Sequence, residues 1–345
     1  MGDQKLKTCR AISYNTSMTL SQEIKQKALE LGFDVVGMTD AAAVDAADVE
    51  FLADWLKSGF AGQMAYMYRN FEKRINPSAL LENARSVICA GLNYKPPSME
   101  DDASKTAGPA GTIARYARYE DYHIFIKRQL RRLVDFIGSF AGSGFRYKVC
   151  VDSAPLAERA LAARAGLGFI GRNHMLINPE LGPELFLAEV VTDLELECDE
   201  PIEADCSKCA QCVEACPTGA LRSDGRFDAS RCISYLTIEH KDRIPADLAA
   251  KVGNRLFGCD ECVLACPRQK KAPACRNGQL RFYPARATVP LFEVMELTQE
   301  RFEARFADSP MKRSGIERLK RNAEIALANT PREYEGLSFG QDSSG

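Results

Sequence analysis

No stretch of this chain approaches the roughly eighteen consecutive apolar residues that a membrane-crossing helix needs, so no bilayer span is expected. The N-terminus, Met1 to Thr19, is polar and lacks the apolar core of a secretion signal. An excess of one charge is missing too: 45 basic against 47 acidic residues leave a formal net charge of −2. That excludes a globally basic nucleic-acid binder and leaves room only for a local basic face. Histidine is scarce, at three residues, and the only internal repetition is a pair of short cysteine runs.

Cysteine is what the chain has in quantity, 13 residues in 345. Cys206-x2-Cys209-x2-Cys212-x3-Cys216-Pro217 is echoed by Cys259-x2-Cys262-x3-Cys266-Pro267. This is the thiolate spacing that wraps cubane iron–sulfur clusters. Structural zinc usually takes two CxxC-like pairs across a longer loop, and needs neither the third close cysteine nor the Cys-Pro. Two cubanes take about eight thiolates; the runs supply four and three, and Cys232 lies between them to complete the set. In two-cluster ferredoxin-type folds the last cysteine of one run ligates the other cluster. That rule assigns Cys206, Cys209, Cys212 and Cys266 to one cluster and Cys216, Cys232, Cys259 and Cys262 to the second. The crossing sets the clusters close together, suited to passing electrons. The remaining cysteines, Cys9, Cys89, Cys150, Cys198 and Cys275, are scattered, as suits a reducing cytoplasm. Cys89 and Cys150 fall in apolar runs and read as buried spacers.

Apolar content of 46% is enough for one large or two modest cores. Helices are expected over Ser21–Leu31 with Ser21 as N-cap, Ala47–Lys57, Asp121–Phe140 and Leu156–Ala165, and strands over Asp34–Met38, Ser86–Leu92 and Tyr147–Val151. Met175–Asn178 and Phe186–Thr192 read as a strand pair, and Pro96–Gly111 as a loop. Thr298–Asn329 reads as charged helix, and Gly340–Gly345 as a disordered tail. The fold class is α+β: an α/β-like body over 1–197, a ferredoxin-like two-cluster module over 198–280, and a C-terminal helical segment over 281–345.

In Val151-Asp152-Ser153-Ala154-Pro155 an acidic residue follows a strand and precedes a helix, where α/β sheets bind ligands. Asp152 is therefore a candidate proton donor, against the plainer reading of a helix N-cap. Gly166-x-Gly168-x-x-Gly171 looks like a dinucleotide fingerprint but follows a helix instead of joining strand to helix, so it fails its context test.

The run VDSAPLAERALAARAGLGFIGRNHMLINPELG, with the cluster pair and the segment FGCDECVLACP, resembles the epoxyqueuosine reductase family. Arg115-Tyr116-Ala117-Arg118, Asp121-Tyr122-His123, Cys232 to Glu239 and Ser309 to Gly315 carry the same resemblance, which spans about residues 20 to 330. It implies a body related to the corrinoid-binding domain of reductive dehalogenases, holding base-off cobalamin. The two 4Fe-4S clusters would reduce it to cob(I)alamin, and the substrate would be epoxyqueuosine in a tRNA anticodon loop, deoxygenated to queuosine. Asp152 aligns with the family's proposed proton donor, a task that calls for burial near the corrin and away from cations. The resemblance also places Tyr116, Asp152, Arg172, Asn173, His174, Ser234, Thr237 and Asp260 at the cofactor or substrate. It implies no lower histidine ligand to cobalt, so His174 is expected as a polar contact, and His123 and His240 at the surface or behind the site.

Two basic groups suit a tRNA partner: Lys127, Arg128, Arg131 and Arg132, and Lys312, Arg313, Arg318, Lys320 and Arg321. An unidentified electron donor, a cytoplasmic setting and a monomer complete the expectation. Two departures stand out. Arg268-Gln269 follows the last cluster proline where many members carry an aromatic residue and asparagine, and the sequence after Asn329 is too short for the HEAT-like domain of some members. The alternatives are a corrinoid reductase of another small molecule, resembling a reductive dehalogenase, and a ferredoxin-type electron carrier. The carrier leaves the body unexplained.

Overall fold

The computed structural model describes residues 18–97, 108–142 and 144–330. Most of the expected 96–111 loop and the 340–345 tail lie outside the described residues. Strands in chain order are β1 (Val35–Asp40), β2 (Ser86–Asn93), β3 (Ala110–Ile113), β4 (Tyr147–Cys150), β5 (Phe169–Ile170), β6 (Leu176–Ile177), β7 (Leu185–Thr192), β8 (Arg255–Phe257) and β9 (Thr288–Pro290).

The sequence of β2, SVICAGLN, is buried at every position, as a continuous apolar run requires of a strand covered on both faces. It lies inside an antiparallel sheet of order β1-β2-β7-β4. Successive side chains on a strand point to opposite faces. Ile88, Ala90 and Leu92 of β2, with Phe186, Ala188 and Val190 of β7, enter a core covered by helices Leu20–Glu30 and Tyr122–Ala141. Val87, Cys89 and Val191 enter a second layer, covered by helix Glu158–Arg164. Cys89 and Cys150 are both fully buried in that layer.

Several elements differ from the sequence reading. Helix Leu20–Glu30 is capped by Thr19, which forms a capping box with Gln22, while Ser21 turns inward and accepts the Glu197 N–H at 2.9 Å. The expected strand pair does not form. Leu176–Ile177 pairs with Phe169–Ile170, and Leu185–Thr192 pairs along its whole length with β2. A tight turn bridging Asn178 and Gly182 separates them, and burying a strand matched to β2 at eight positions, most of them apolar, outweighs a local hairpin. The C-terminal helix is two, Gln299–Phe306 and Ile316–Ala328, because Pro310 lacks an N–H and Gly315 adopts φ +76 between them.

A second sheet, β8-β3-β9, joins strands far apart in sequence. Its core combines Ile113, Leu256, Phe257 and Val289 with Phe306 and Leu319 of the C-terminal helices. At Gly111 of β3 a side chain would strike Leu256 and Leu291, so the strand needs glycine there. β5 and β6 supply Phe169 and Ile177, which bury Cys266 beside Cys206. The mixture of antiparallel sheet, helices and cysteine-rich loops is an α+β fold.

Candidate active site and cluster loops

An open cavity of about 840 Å³ lies where the main sheet, the second sheet and the cysteine-rich segment meet. Leu185, Phe186 and Leu187 line it from β7, Tyr116 and Phe257 add aromatic surface, and Cys232 and Ser234 open onto it from the cluster side. The charged groups on its wall include His123, Asp152, Glu158 and Arg313.

Asp152 leaves the end of β4 with φ +54, a backbone state uncommon outside glycine that is over-represented at functional sites. It is not a helix N-cap, since the next helix begins at Glu158 with Ala157 as its cap. The Asp152 N–H donates to Glu158 Oε1 at 2.5 Å. Its carboxylate faces His123 Nε2 at 2.9 Å, and His123 Nδ1 lies 2.6 Å from Asp121 Oδ1. Arg313 Nη1 stands 3.9 Å away. The expected burial remote from cations is therefore not met: the Asp152 side chain is 54% exposed and faces two cationic groups, because its loop opens to the cavity mouth. Burial draws its carboxyl up, but the hydrogen bond and charge of His123, with the charge of Arg313, outweigh it and hold the group below the usual carboxylate range. For His123, burial disfavours the charged form, and the hydrogen bonds to Asp121 and Asp152 reverse that and raise its pKa. When protonated, the ring can donate from both nitrogens and so bridge the two carboxylates.

This arrangement predicts a pH signature. Raised imidazole affinity gives stability that is fully present below the ordinary imidazole pKa and lost as pH climbs through the raised value. The depressed Asp121 and Asp152 give stability that is present above their ordinary range and lost as pH falls through the lowered values. The melting temperature of the wild type minus that of His123→Gln should peak at roughly pH 5–6 and shrink on both sides. A difference independent of pH would contradict the bridge.

The remaining sequence-chosen residues divide into two groups. Tyr116, His174 and Ser234 line the cavity with Asp152. The His174 ring lies 5.5 Å from both Phe51 and Phe227, and burial, then the charge of Arg159, lowers its pKa. Arg172, Asn173, Thr237 and Asp260 stand behind the cavity wall and hold the cluster loops. Arg172 donates to Ser207 O, and Asn173 Nδ2 donates to Cys262 O at 3.4 Å. Thr237 Oγ1 accepts the Gly258 N–H at 3.0 Å, and the half-buried Asp260 accepts the Arg115 N–H at 2.8 Å.

Short helices Gln211–Glu214 and Glu261–Leu264 carry Cys212 and Cys262 and pack together. Burial first, then the neighbouring thiols of Cys232, Cys259 and Cys216, push the Cys262 thiol up. Burial, then Cys206 and Cys209, does the same to Cys212. The thiols of Cys232, Cys259 and Cys216 thus act electrostatically on Cys262, those of Cys206 and Cys209 act on Cys212, and Cys266 packs with Cys206. The Gln269 that departs from the family pattern is buried and donates to Glu184, whose other partner is Arg115 at 3.2 Å.

Residues 74–153 match a family model described as epoxyqueuosine reductase QueG, DUF1730, and residues 205–269 match a 4Fe-4S double cluster binding domain. The epoxyqueuosine reductase of Vibrio cholerae is 37% identical over 90% of this chain and 84% of its own length. That of Cyclobacterium marinum is 39% identical over 88% of this chain and 95% of its own. The chain belongs to the epoxyqueuosine reductase family. Among solved members, an epoxyqueuosine reductase crystallised with an epoxyqueuosine-modified tRNA-Tyr stem loop superposes with a TM-score of 0.81 at 33% identity, covering 90% of this chain and 81% of that one. The epoxyqueuosine reductase of Streptococcus thermophilus gives 0.81 at 33% identity over 89% and 80%.

Sequence reasoning set His123 at the surface or behind the site and Arg313 in a basic group for tRNA, and did not single out Glu158; the structure brings all three to the cavity wall beside Asp152. His123 and Arg313 sit in segments that carried the resemblance, but their approach to Asp152 spans 29 and 161 positions and is set by tertiary packing. Of the basic groups, Arg321 is spent on the carbonyls of His240, Asp242 and Leu236, and Arg318 donates to that of Ile238. Arg313 and Arg318 both reach the cavity wall. Among the described residues no helix is long and apolar enough to cross a membrane.

Proposed function

We propose that this chain reduces epoxyqueuosine to queuosine in a tRNA anticodon loop, as a cytoplasmic, monomeric oxidoreductase of queuosine biosynthesis fed by an external electron donor. One observation carries the reading: a single cavity brings together a proton-bearing pair, Asp152 and His123, and a candidate cluster cysteine, Cys232. The division proposed is a catalytic body over 1–197, a two-cluster module over 198–280 and a helical segment over 281–345. The cluster ligands are assigned as Cys206, Cys209, Cys212 and Cys266 for one, and Cys216, Cys232, Cys259 and Cys262 for the other.

The cavity suits cobalamin. Its volume lies at the upper end of the usual range for ligand sites. Tyr116, Tyr122 and Phe257 offer apolar ring surface, and the buried Ser314 hydroxyl on its wall has no partner among the described residues, leaving a hydrogen bond for an amide-fringed ligand. Tyr116 and Ser234 would hold the cofactor, with His174 as a polar neighbour; Arg172, Asn173, Thr237 and Asp260 would support it through the cluster loops. When bound, cobalamin supplies the reducing centre for the epoxide.

The protein's own part is positioning and proton delivery. Asp152 presents its carboxyl to the opening C–O bond, and the proton it gives is drawn from His123 Nε2. Expulsion of water by bound substrate favours the neutral pair, protonated Asp152 beside neutral His123, over the charged pair of the open cavity. Arg313 and Arg318 at the wall, with exposed Lys312 nearby, form the basic patch for the phosphates of the splayed loop.

The test is anaerobic reconstitution with iron, sulfide and cobalamin, read by iron count, visible absorption and EPR. About eight irons per chain with a base-off cob(II)alamin signal is the expected result. Eight irons with no corrinoid retained would instead mark an electron carrier.

A further inference from the structure

Glu189 is the single charged residue of β7, in LFLAEVVT, and it is 0% exposed. Strand alternation puts it on the face of Leu187 and Val191, in the apolar layer beneath helix Glu158–Arg164. Its partners across the sheet are Cys89 of β2 and Cys150 of β4. Among the described residues no N–H or O–H donor reaches either of its carboxylate oxygens. The polar group it meets is another carboxyl, that of Glu158. Glu158 begins the covering helix, lines the cavity, and accepts the backbone N–H of Asp152.

Two carboxyls facing each other, one of them wholly buried and the other half-buried at the cavity wall, do not both ionise; the hydrogen bond between them needs a proton. Burial, then the opposing Glu158, pushes Glu189 far up. Burial, then the charge of Asp152, raises Glu158 to about 7. The cations near Glu158 are Arg159, His123 and Arg74, which oppose that rise without reversing it. Around Glu189 the other titratable groups are Asp152 and the thiols of Cys89 and Cys150, which burial keeps neutral. Tyr122 also faces Glu158 and stays a neutral phenol for the same reason.

Removing an epoxide oxygen breaks both C–O bonds to it, forms a C=C bond and releases water. The balance is two electrons, which the clusters carry, and two protons. Asp152 with His123 accounts for one proton. Resting on the proposed function above, we propose that Glu158 supplies the second proton to the cavity, with Glu189 as a positioning residue that keeps its own proton and donates it in a hydrogen bond to Glu158. Release from Glu158 then leaves a single negative charge bridged by the Glu189 O–H, in place of a bare buried carboxylate.

The test has two arms. Infrared spectra of the protein without cobalamin should contain, at neutral pH, a protonated-carboxyl C=O stretch that Glu189→Gln removes. A second component titrating near neutrality should vanish in Glu158→Gln. The wild-type spectrum decides by itself should a variant not fold: no protonated-carboxyl stretch at neutral pH overturns the proposal. In turnover, Glu158→Gln retains the oxygen that holds the Asp152 N–H but has no proton to give. It should lose about a hundredfold in rate and the near-neutral limb of the pH profile, with clusters and cobalamin retained. A profile and rate like the wild type would overturn the delivery. An inactive wild type would instead count against the proposed reaction, so the two failures are distinguishable.

Discussion

Asp152→Ala should lower turnover by about two to four orders of magnitude, the usual contribution of a positioned general acid, while both clusters and bound cobalamin remain. The reason for separating the effects is geometric. Asp152 sits on the loop after β4, joined to the fold by its backbone N–H to Glu158, and its carboxyl faces His123 and Arg313 and not the cysteine-bearing loops. Truncation removes the group that meets the leaving oxygen and leaves the cluster supports, Arg172, Asn173 and Asp260, untouched. His123 would persist, but its Nε2 would face a gap where Asp152 Oδ2 had been. Rapid-quench assays at saturating substrate, with iron and cobalt counted on the same sample, read the effect. Turnover within threefold of the wild type, about 0.7 kcal/mol, would remove Asp152 from the chemistry.

Cys232→Ala should cost one cluster and nearly all activity. Cys232 lies outside both cysteine runs, caps helix Ile233–Ile238, and reaches the cavity wall, so the cluster proposed for it would be the one nearest the substrate. The Cys216 thiol acts electrostatically on Cys232, and Cys232 and Cys259 act on Cys262. Iron should fall from about eight to about four per chain, with the EPR signal of the distal cluster kept. Cys198→Ala is the control, since Cys198 is exposed and belongs to neither group. A Cys232→Ala protein with two intact clusters would overturn the crossed partition.

How much of this was legible in the sequence follows from how local each signal is. The double-cluster segment could be read because the cysteine spacing lies within one or two turns of chain, and the place of Asp152 at the cavity because a strand end before a helix is a local pattern. The buried run of β2 was equally plain. Pairing was not: Phe186–Thr192 looked like the partner of nearby Met175–Asn178, whereas an equally long apolar strand, β2, claimed it. The surroundings of Asp152 were hidden for the same reason. His123 comes from the long helix and Arg313 from the C-terminal segment, and only packing brings them to one carboxyl. Glu189 did carry a signal, a lone carboxylate inside an apolar strand, which calls for either a partner or a proton. Of the residues chosen as cofactor contacts, Thr237 and Asp260 lie off the cavity wall and bond to Gly258 and Arg115, a placement that segment resemblance does not distinguish from one facing the cavity.

The most direct measurement of the central claim is nucleoside analysis after anaerobic incubation of the reduced, cluster- and cobalamin-loaded protein with an epoxyqueuosine-containing tRNA stem loop. Mass spectrometry of the digested RNA should record conversion of epoxyqueuosine to queuosine by the wild type and its loss in Asp152→Ala. Unchanged epoxyqueuosine with a wild-type sample shown to carry both clusters and cobalamin would contradict it.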